Sequence, residues 1–168
     1  IPLPVSGIPR EYLAGVAPDG NGDNQWEDFL GATDFPFTLV NAQEPLLIAD
    51  AAFPGIESAY EFPAAKATAP SGSKLGSSKS ASFEIWFKPE DLNDNHILFE
   101  VGGEGSGSTL AMQADQLHWM TQTGNDSNRM KATVTLPAES VGAWNQAVVV
   151  NHIKGDGRGE VFLLLNGG

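Results

Sequence analysis

The chain has 168 residues, of which 41% are hydrophobic, enough to bury one core of ordinary domain size. Nine Lys and Arg against 21 Asp and Glu give a formal net charge of -12, so nucleic acid is repelled and nucleic-acid binding is set aside. Cysteine is absent, which removes disulfides, thiolate metal sites and a cysteine nucleophile, and the longest apolar runs, Val148 to Val150 and Val161 to Leu165, fall far short of the ~20 residues that cross a bilayer as a helix.

The 19 Gly and 11 Pro fall mostly between apolar runs, the punctuation of short strands joined by turns. Residues 1–16 read as a Pro-rich arm or first strand, and residues 17–168 as a single β-sandwich domain. A start at Ile1-Pro2-Leu3-Pro4 without Met is what signal-peptide removal leaves behind, which points to an exported protein, secreted or at a bacterial cell surface. Residues 35–40, 45–48 and 59–62 read as short strands, and Pro63 to Ser80, made of Ala, Ser, Gly, Lys and Pro, as a surface loop. In Ser82 to Pro89 the two-residue period puts Phe83, Ile85 and Phe87 on one face and Glu84, Trp86 and Lys88 on the other. Strands follow at 96–101, 109–113, 116–121, 130–136, 144–151 and 160–167. A turn is expected over Gly102 to Ser108, a two-residue connection at Ala114-Asp115 and another turn at Gly155 to Gly159. Hairpin-like connections make the sheets antiparallel.

The order of these segments resembles the laminin-G-like, concanavalin A-like lectin/glucanase family. Gly55 to Phe62 looks like its early strand, where an aromatic-x-Phe pair enters the core, and Ser82 to Pro89 is similar to its "S-F-x-x-W-h-x-P" strand. Ile97 to Gly102 resembles "I-L-F-x-x-G", Gly142 to Val150 "G-x-W-x-x-V-V", and Val161 to Gly167 "v-x-L-Y-v-N-G", with Leu164 at the usual Tyr. The resemblance runs from about Trp26 to Gly168 and implies an all-β, antiparallel jelly-roll sandwich. It also implies further strands after Gly168, from the same polypeptide or from a neighbour, since the apolar run Val161 to Leu165 is a template for edge pairing and self-association. Trp86, Trp144 and the phenylalanines are expected in the core. Trp26, and Trp119 with His118 on the opposite face of its strand, are the candidates to line a ligand groove.

The family's glucanases use a carboxylate pair in a Glu-x-Asp-x-x-Glu spacing so that both flank one glycosidic bond, and the chain has no such segment. His96, His118 and His152 stand too far apart in sequence for a zinc spacing, and Gly105-Ser106-Gly107-Ser108 is not a nucleophile elbow. A non-enzymatic protein is therefore expected. Asp19, Asn21 and Asp23 place hard oxygens at alternate positions with Glu27 close behind, a candidate Ca2+ loop; Leu30 stands where an EF-hand has its bidentate Glu. The same residues equally make a solvated turn with Asx hydrogen bonds. Asp126 and Asp156 rank behind them. The function implied is an extracellular binding module for a glycan or protein partner; the alternative is a structural subunit of a filament, sheath or surface layer.

Overall fold

The computed structural model describes residues 25–26, 37–40, 46–50, 58–62, 66–68, 80–103, 106–123, 129–153 and 159–168. Among them every regular element is a β-strand except a 3₁₀ turn at Ala138–Ser140, every strand pairing is antiparallel, and no helix is long and apolar enough to cross a membrane. The all-β, antiparallel sandwich expected from the alternating strands is the architecture found. The chain divides into two compact units, Ile1–Lys74 and Leu75–Gly168, with the division inside the Pro63 to Ser80 stretch.

In the first unit β1 (Gln25–Trp26), β2 (Phe37–Val40) and β5 (Lys66–Thr68) form one sheet in the order β1-β2-β5, and β3 (Leu46–Ile48) pairs with β4 (Ala59–Glu61). β5 corrects the reading of residues 63–80 as loop throughout, since Thr68 lies opposite Thr38 in an ordinary ladder. Lys-Ala-Thr has little side-chain preference for a strand, so its pairing is a matter of backbone hydrogen bonds that composition does not announce. Phe62, which the resemblance sends into the core, is exposed, with its ring edge-on to Tyr60 at 6.4 Å, whereas Ala59 is buried.

The second unit is a two-layer sandwich. A four-stranded sheet, ordered β10-β9-β8-β7, consists of β7 (Asn95–Gly103), β8 (Ser106–Gln113), β9 (Gln116–Thr123) and β10 (Arg129–Thr135). The other sheet is ordered β12-β11-β6, from β6 (Ala81–Phe87), β11 (Asn145–Ile153) and β12 (Gly159–Leu165). The chain crosses between sheets after β6, makes a four-strand meander, crosses back through the 3₁₀ turn and ends in the β11-β12 hairpin. β10 and β12, each the first strand of its sheet, run near each other along one side.

Alternation dictates which side chains meet between the layers. Leu110 and Met112 of β8, Leu117 and Trp119 of β9, Phe87 of β6, and Ala147 and Val149 of β11 form a buried cluster with Leu136, and Phe83, Ile85, Leu163 and Leu165 pack against it half-buried. Phe83 lies against Phe99 at 5.1 Å and Trp119 at 5.9 Å between ring centroids. Two buried hydrogen bonds tie polar atoms in this interior: Trp119 Nε1 donates across the layers to Asn151 Oδ1 (2.8 Å), and Ser108 Oγ donates to Thr121 Oγ1 (2.9 Å).

The turn expected over Gly102 to Ser108 is much tighter. Gly103 pairs with Ser106, Gly102 with Gly107 and Val101 with Ser108, so the strands continue through the glycines. A ladder needs only backbone groups, and the buried Ser108–Thr121 bond anchors its end. At the β8-β9 connection Gln113 faces Gln116, and Ala114 takes a left-handed φ of 51°, the position where such a short turn forces the chain round. β7 carries a register shift between Ile97 and Phe99 that leaves Ile97 pointing to solvent.

Among the described residues, the buried side-chain polar atom without a hydrogen-bond partner is the Ser140 hydroxyl of the 3₁₀ turn. A buried donor left unsatisfied costs about 1–3 kcal/mol. Ser140→Ala is therefore expected to raise stability by ~1 kcal/mol, read as a higher urea midpoint at unchanged slope. A fall in the midpoint overturns this.

Candidate functional site

The outward face of the β12-β11-β6 sheet is set by the same register that builds the core. With Ala147 opposite Leu165 and Ile85, and Val149 opposite Leu163 and Phe83, the intervening residues face out: Val148 and Val150 on β11, Phe162 and Leu164 on β12, Glu84 and Trp86 on β6. Phe162 is 48% and Leu164 41% exposed, while Val148 and Val150 beside them are half-buried. The strip is flanked on the β6 side by a polar group in which Glu84 Oε1 accepts from Trp86 Nε1 (2.9 Å) and from Gln146 Nε2 (2.8 Å). Trp86 thus stands on the outer face, half-buried, which corrects its expected core position. The period of β6 already opposed it to Phe83, Ile85 and Phe87, and the indole finds its polar partner on the wet side. Trp144 is half-buried just ahead of β11.

β12 is the first strand of this sheet among the described residues. Asn166 N–H donates to Gln146 O (2.9 Å), so by antiparallel alternation Leu164, Phe162 and Glu160 bond β11 while Leu165, Leu163, Val161 and Gly159 turn their N–H and C=O away from it. The Leu165 rung is closed by Gly168, each N–H donating to the other's carbonyl at 3.2 and 3.1 Å across a turn with Asn166 at φ 52° and Gly167 at φ 84°. Asn and Gly are the residues that adopt such angles at least cost.

The far end of this sheet is locked by asparagines. Asn145, buried at the start of β11, donates to Ser140 O (3.0 Å) and Ala143 O (2.8 Å), and its Oδ1 accepts from Asn166 Nδ2 (3.1 Å). Asn166 Oδ1 in turn accepts from Gln146 N–H (2.8 Å). Asn145 and Asn151 are the residues that motif reading passed over, whereas Asn166 stands at the Asn of the "v-x-L-Y-v-N-G" segment. An asparagine inside an otherwise apolar strand is the one signal that marks such a side chain, because it is found buried only when its amide is occupied.

The expected ligand residues fall in different places. Trp119 is wholly buried with its N–H occupied, so neither ring face is open to stack on a sugar; this corrects its expected place at a groove. His118 lies on the opposite, outward face of the four-stranded sheet, 4% exposed, with Nδ1 2.9 Å from Thr133 Oγ1. Trp26 closes β1 opposite Phe37, and its side chain lies outside the described residues, as do Asp19, Asn21, Asp23, Glu27, Asp126 and Asp156. The structure therefore does not bring Trp119 and His118 to one surface. Among the described residues no three His, Asp or Glu side chains gather as a metal site requires.

Burial, and then the nearby Lys131 ammonium, hold the His118 pKa below its ordinary 6.5. Because the unfolded chain takes up this proton at a higher pH than the folded one, the contribution is full above 6.5 and is lost as pH falls through 6.5 toward the folded value. The urea midpoint is expected to drop between pH 7.5 and 5.5, and the drop to shrink in His118→Gln; an equal drop in both removes His118 as the cause. Comparison with protein-family models, with curated proteins and with solved structures returns no match for this chain.

Proposed function

We propose that this chain is a non-enzymatic, exported binding module of the laminin-G-like, concanavalin A-like jelly-roll kind, and that its partner is a protein taken up on the outward face of the β12-β11-β6 sheet. The observation that carries the reading is the pair Phe162 and Leu164, both exposed on the outward face of β12. Apolar side chains in a row with Val148 and Val150 present a dry strip to a partner. Of the protein and glycan versions, the aliphatic and phenyl strip of Phe162, Leu164, Val148 and Val150 suits a protein, with the polar Glu84, Trp86 and Gln146 group at its margin. The kinship rests on the motif segments of the sequence, and a Ca2+ ion held by Asp19, Asn21, Asp23 and Glu27 belongs to the glycan version.

A photo-crosslinking residue in place of Phe162 tests the reading in the protein's own extracellular surroundings. Adducts with protein are expected from position 162 and not from the exposed Lys131 on the other sheet. Absence of adducts at 162, or an equal yield at both, overturns the reading. Sugar binding on a glycan array that needs calcium moves it to the lectin version.

A further inference from the structure

Leu165-Asn166-Gly167-Gly168 is a type I′ turn: φ is 52° at Asn166 and 84° at Gly167, and the Gly168 N–H donates to Leu165 O at 3.1 Å. Its Asn-Gly pair is also the dipeptide in which an asparagine amide is most easily lost, because glycine has no side chain to shield the nitrogen that attacks it. Every other described asparagine precedes a residue with a side chain. Asn166 is exposed, yet both polar atoms of its amide are held by β11: Nδ2 donates to Asn145 Oδ1 (3.1 Å), and Oδ1 accepts from Gln146 N–H (2.8 Å).

The turn that presents this pair also keeps its reacting atoms apart. In the left-handed region ψ is about +47°, which sets the Cβ of Asn166 on the far side of its Cα–C bond from Gly167 N. Cγ reaches that nitrogen only after residue 166 leaves the left-handed region. The Asn166 N–H, bonded to Gln146 O at 2.9 Å, resists that rotation, and the side chain must also leave Asn145 and Gln146.

We propose that Asn166 is a hydrolytic modification site gated by the Asn145–Asn166 lock, silent while this end of the sheet is closed and consumed once it opens. Solvent base removes the Gly167 N–H proton, the nitrogen forms a bond to Asn166 Cγ, and the bond from Cγ to Nδ2 breaks as ammonia leaves with a proton from water. Water then opens the five-membered imide. Attack at Cγ gives aspartate; attack at the backbone carbonyl carbon gives isoaspartate, in which the chain runs through the side-chain carbon. The sum is one water consumed, one ammonia released and no change in oxidation state. Neither product restores the lock. An ionised aspartate has no hydrogen to donate to Asn145 Oδ1, so two acceptors face each other, and isoaspartate lengthens the turn by one backbone atom. A transient opening is thereby recorded as a permanent one.

The chain is incubated at mildly alkaline pH, folded and in guanidinium chloride, and mass spectrometry of its digest follows the Asn166 peptide separately from that of Asn21-Gly22, the other Asn-Gly pair of the sequence. Amide loss at Asn166 is expected to be at least about tenfold slower in the folded chain than in the unfolded one, and folded Asn145→Ala to regain the unfolded rate in step with faster amide exchange at Asn166. Asn166→Asp, which copies one product, is expected to lower the urea midpoint and quicken exchange at Gly168. No loss at Asn166 in the unfolded chain overturns the site. Equal rates in the folded and unfolded chain overturn the gate, as does an Asn145→Ala chain that loses the amide at the native rate although its Asn166 exchange has quickened. A native midpoint and native exchange in Asn166→Asp overturn the lasting release.

Discussion

Trp119→Ala is expected to cost about 3–5 kcal/mol, the range for truncating a fully buried aromatic. Against the ~5–15 kcal/mol that separates a typical folded domain from its unfolded state, that is a large share. Trp119 has no accessible surface, packs on Phe83, and sends its indole N–H across the sandwich to Asn151. The polar part of the loss is separable. Trp119→Phe keeps an aromatic ring but strands Asn151 Oδ1 in the interior, which costs about 1–3 kcal/mol for the orphaned acceptor on top of the lost volume. Asn151→Val strands the indole donor instead. Removing both leaves no unsatisfied atom, so the double variant should be more stable than the sum of the two single losses predicts. Urea unfolding of the four proteins measures this coupling, and strict additivity would show that the 2.8 Å contact contributes nothing.

Asn145→Ala is expected to cost of order 3 kcal/mol, although it deletes only a small polar group. The Ala143 carbonyl loses the Asn145 amide, the Ser140 carbonyl keeps the Ala143 N–H (3.2 Å) but loses its second donor, and Asn166 Nδ2 loses its acceptor. These contacts join the 3₁₀ crossover to the end of β12, so the loss is local before it is global. Amide exchange should quicken first at Asn166 and Gly168, whose N–H groups bond Gln146 O and Leu165 O, while the β8 and β9 amides follow only with global unfolding. An Asn145→Ala protein with native exchange at Asn166 would contradict this role.

The strands after Ser82 are legible in the sequence because one face of each is buried, and alternation then names the core directly: Phe83, Ile85 and Phe87 face inward as their spacing requires. The same alternation put Trp86 outward, and the habit of assigning aromatics to cores, not the period, placed it wrongly. β5 is illegible because three small or flexible residues carry no face preference. β12 is half legible: Val161 to Leu165 has no alternation, so the segment reads as apolar, but only the register with β11 tells that Phe162 and Leu164 are the exposed pair. Asn145 and Asn151 are hidden for a related reason. Their partners lie at Ser140, Ala143, Asn166 and Trp119, and no local pattern states that those groups converge.

β6 lies beside β11, and Glu84 meets Gln146 across 62 positions of chain, whereas β7, β8 and β9 each pair with the next strand along. Closing a long loop delays the contacts it enables, so the meander is the part that forms early during synthesis and refolding, and β6 is the last to find a mate. In that interval Phe83, Ile85 and Phe87 lie uncovered on a growing polypeptide, the moment at which the protein is most open to aggregation and to chaperone capture.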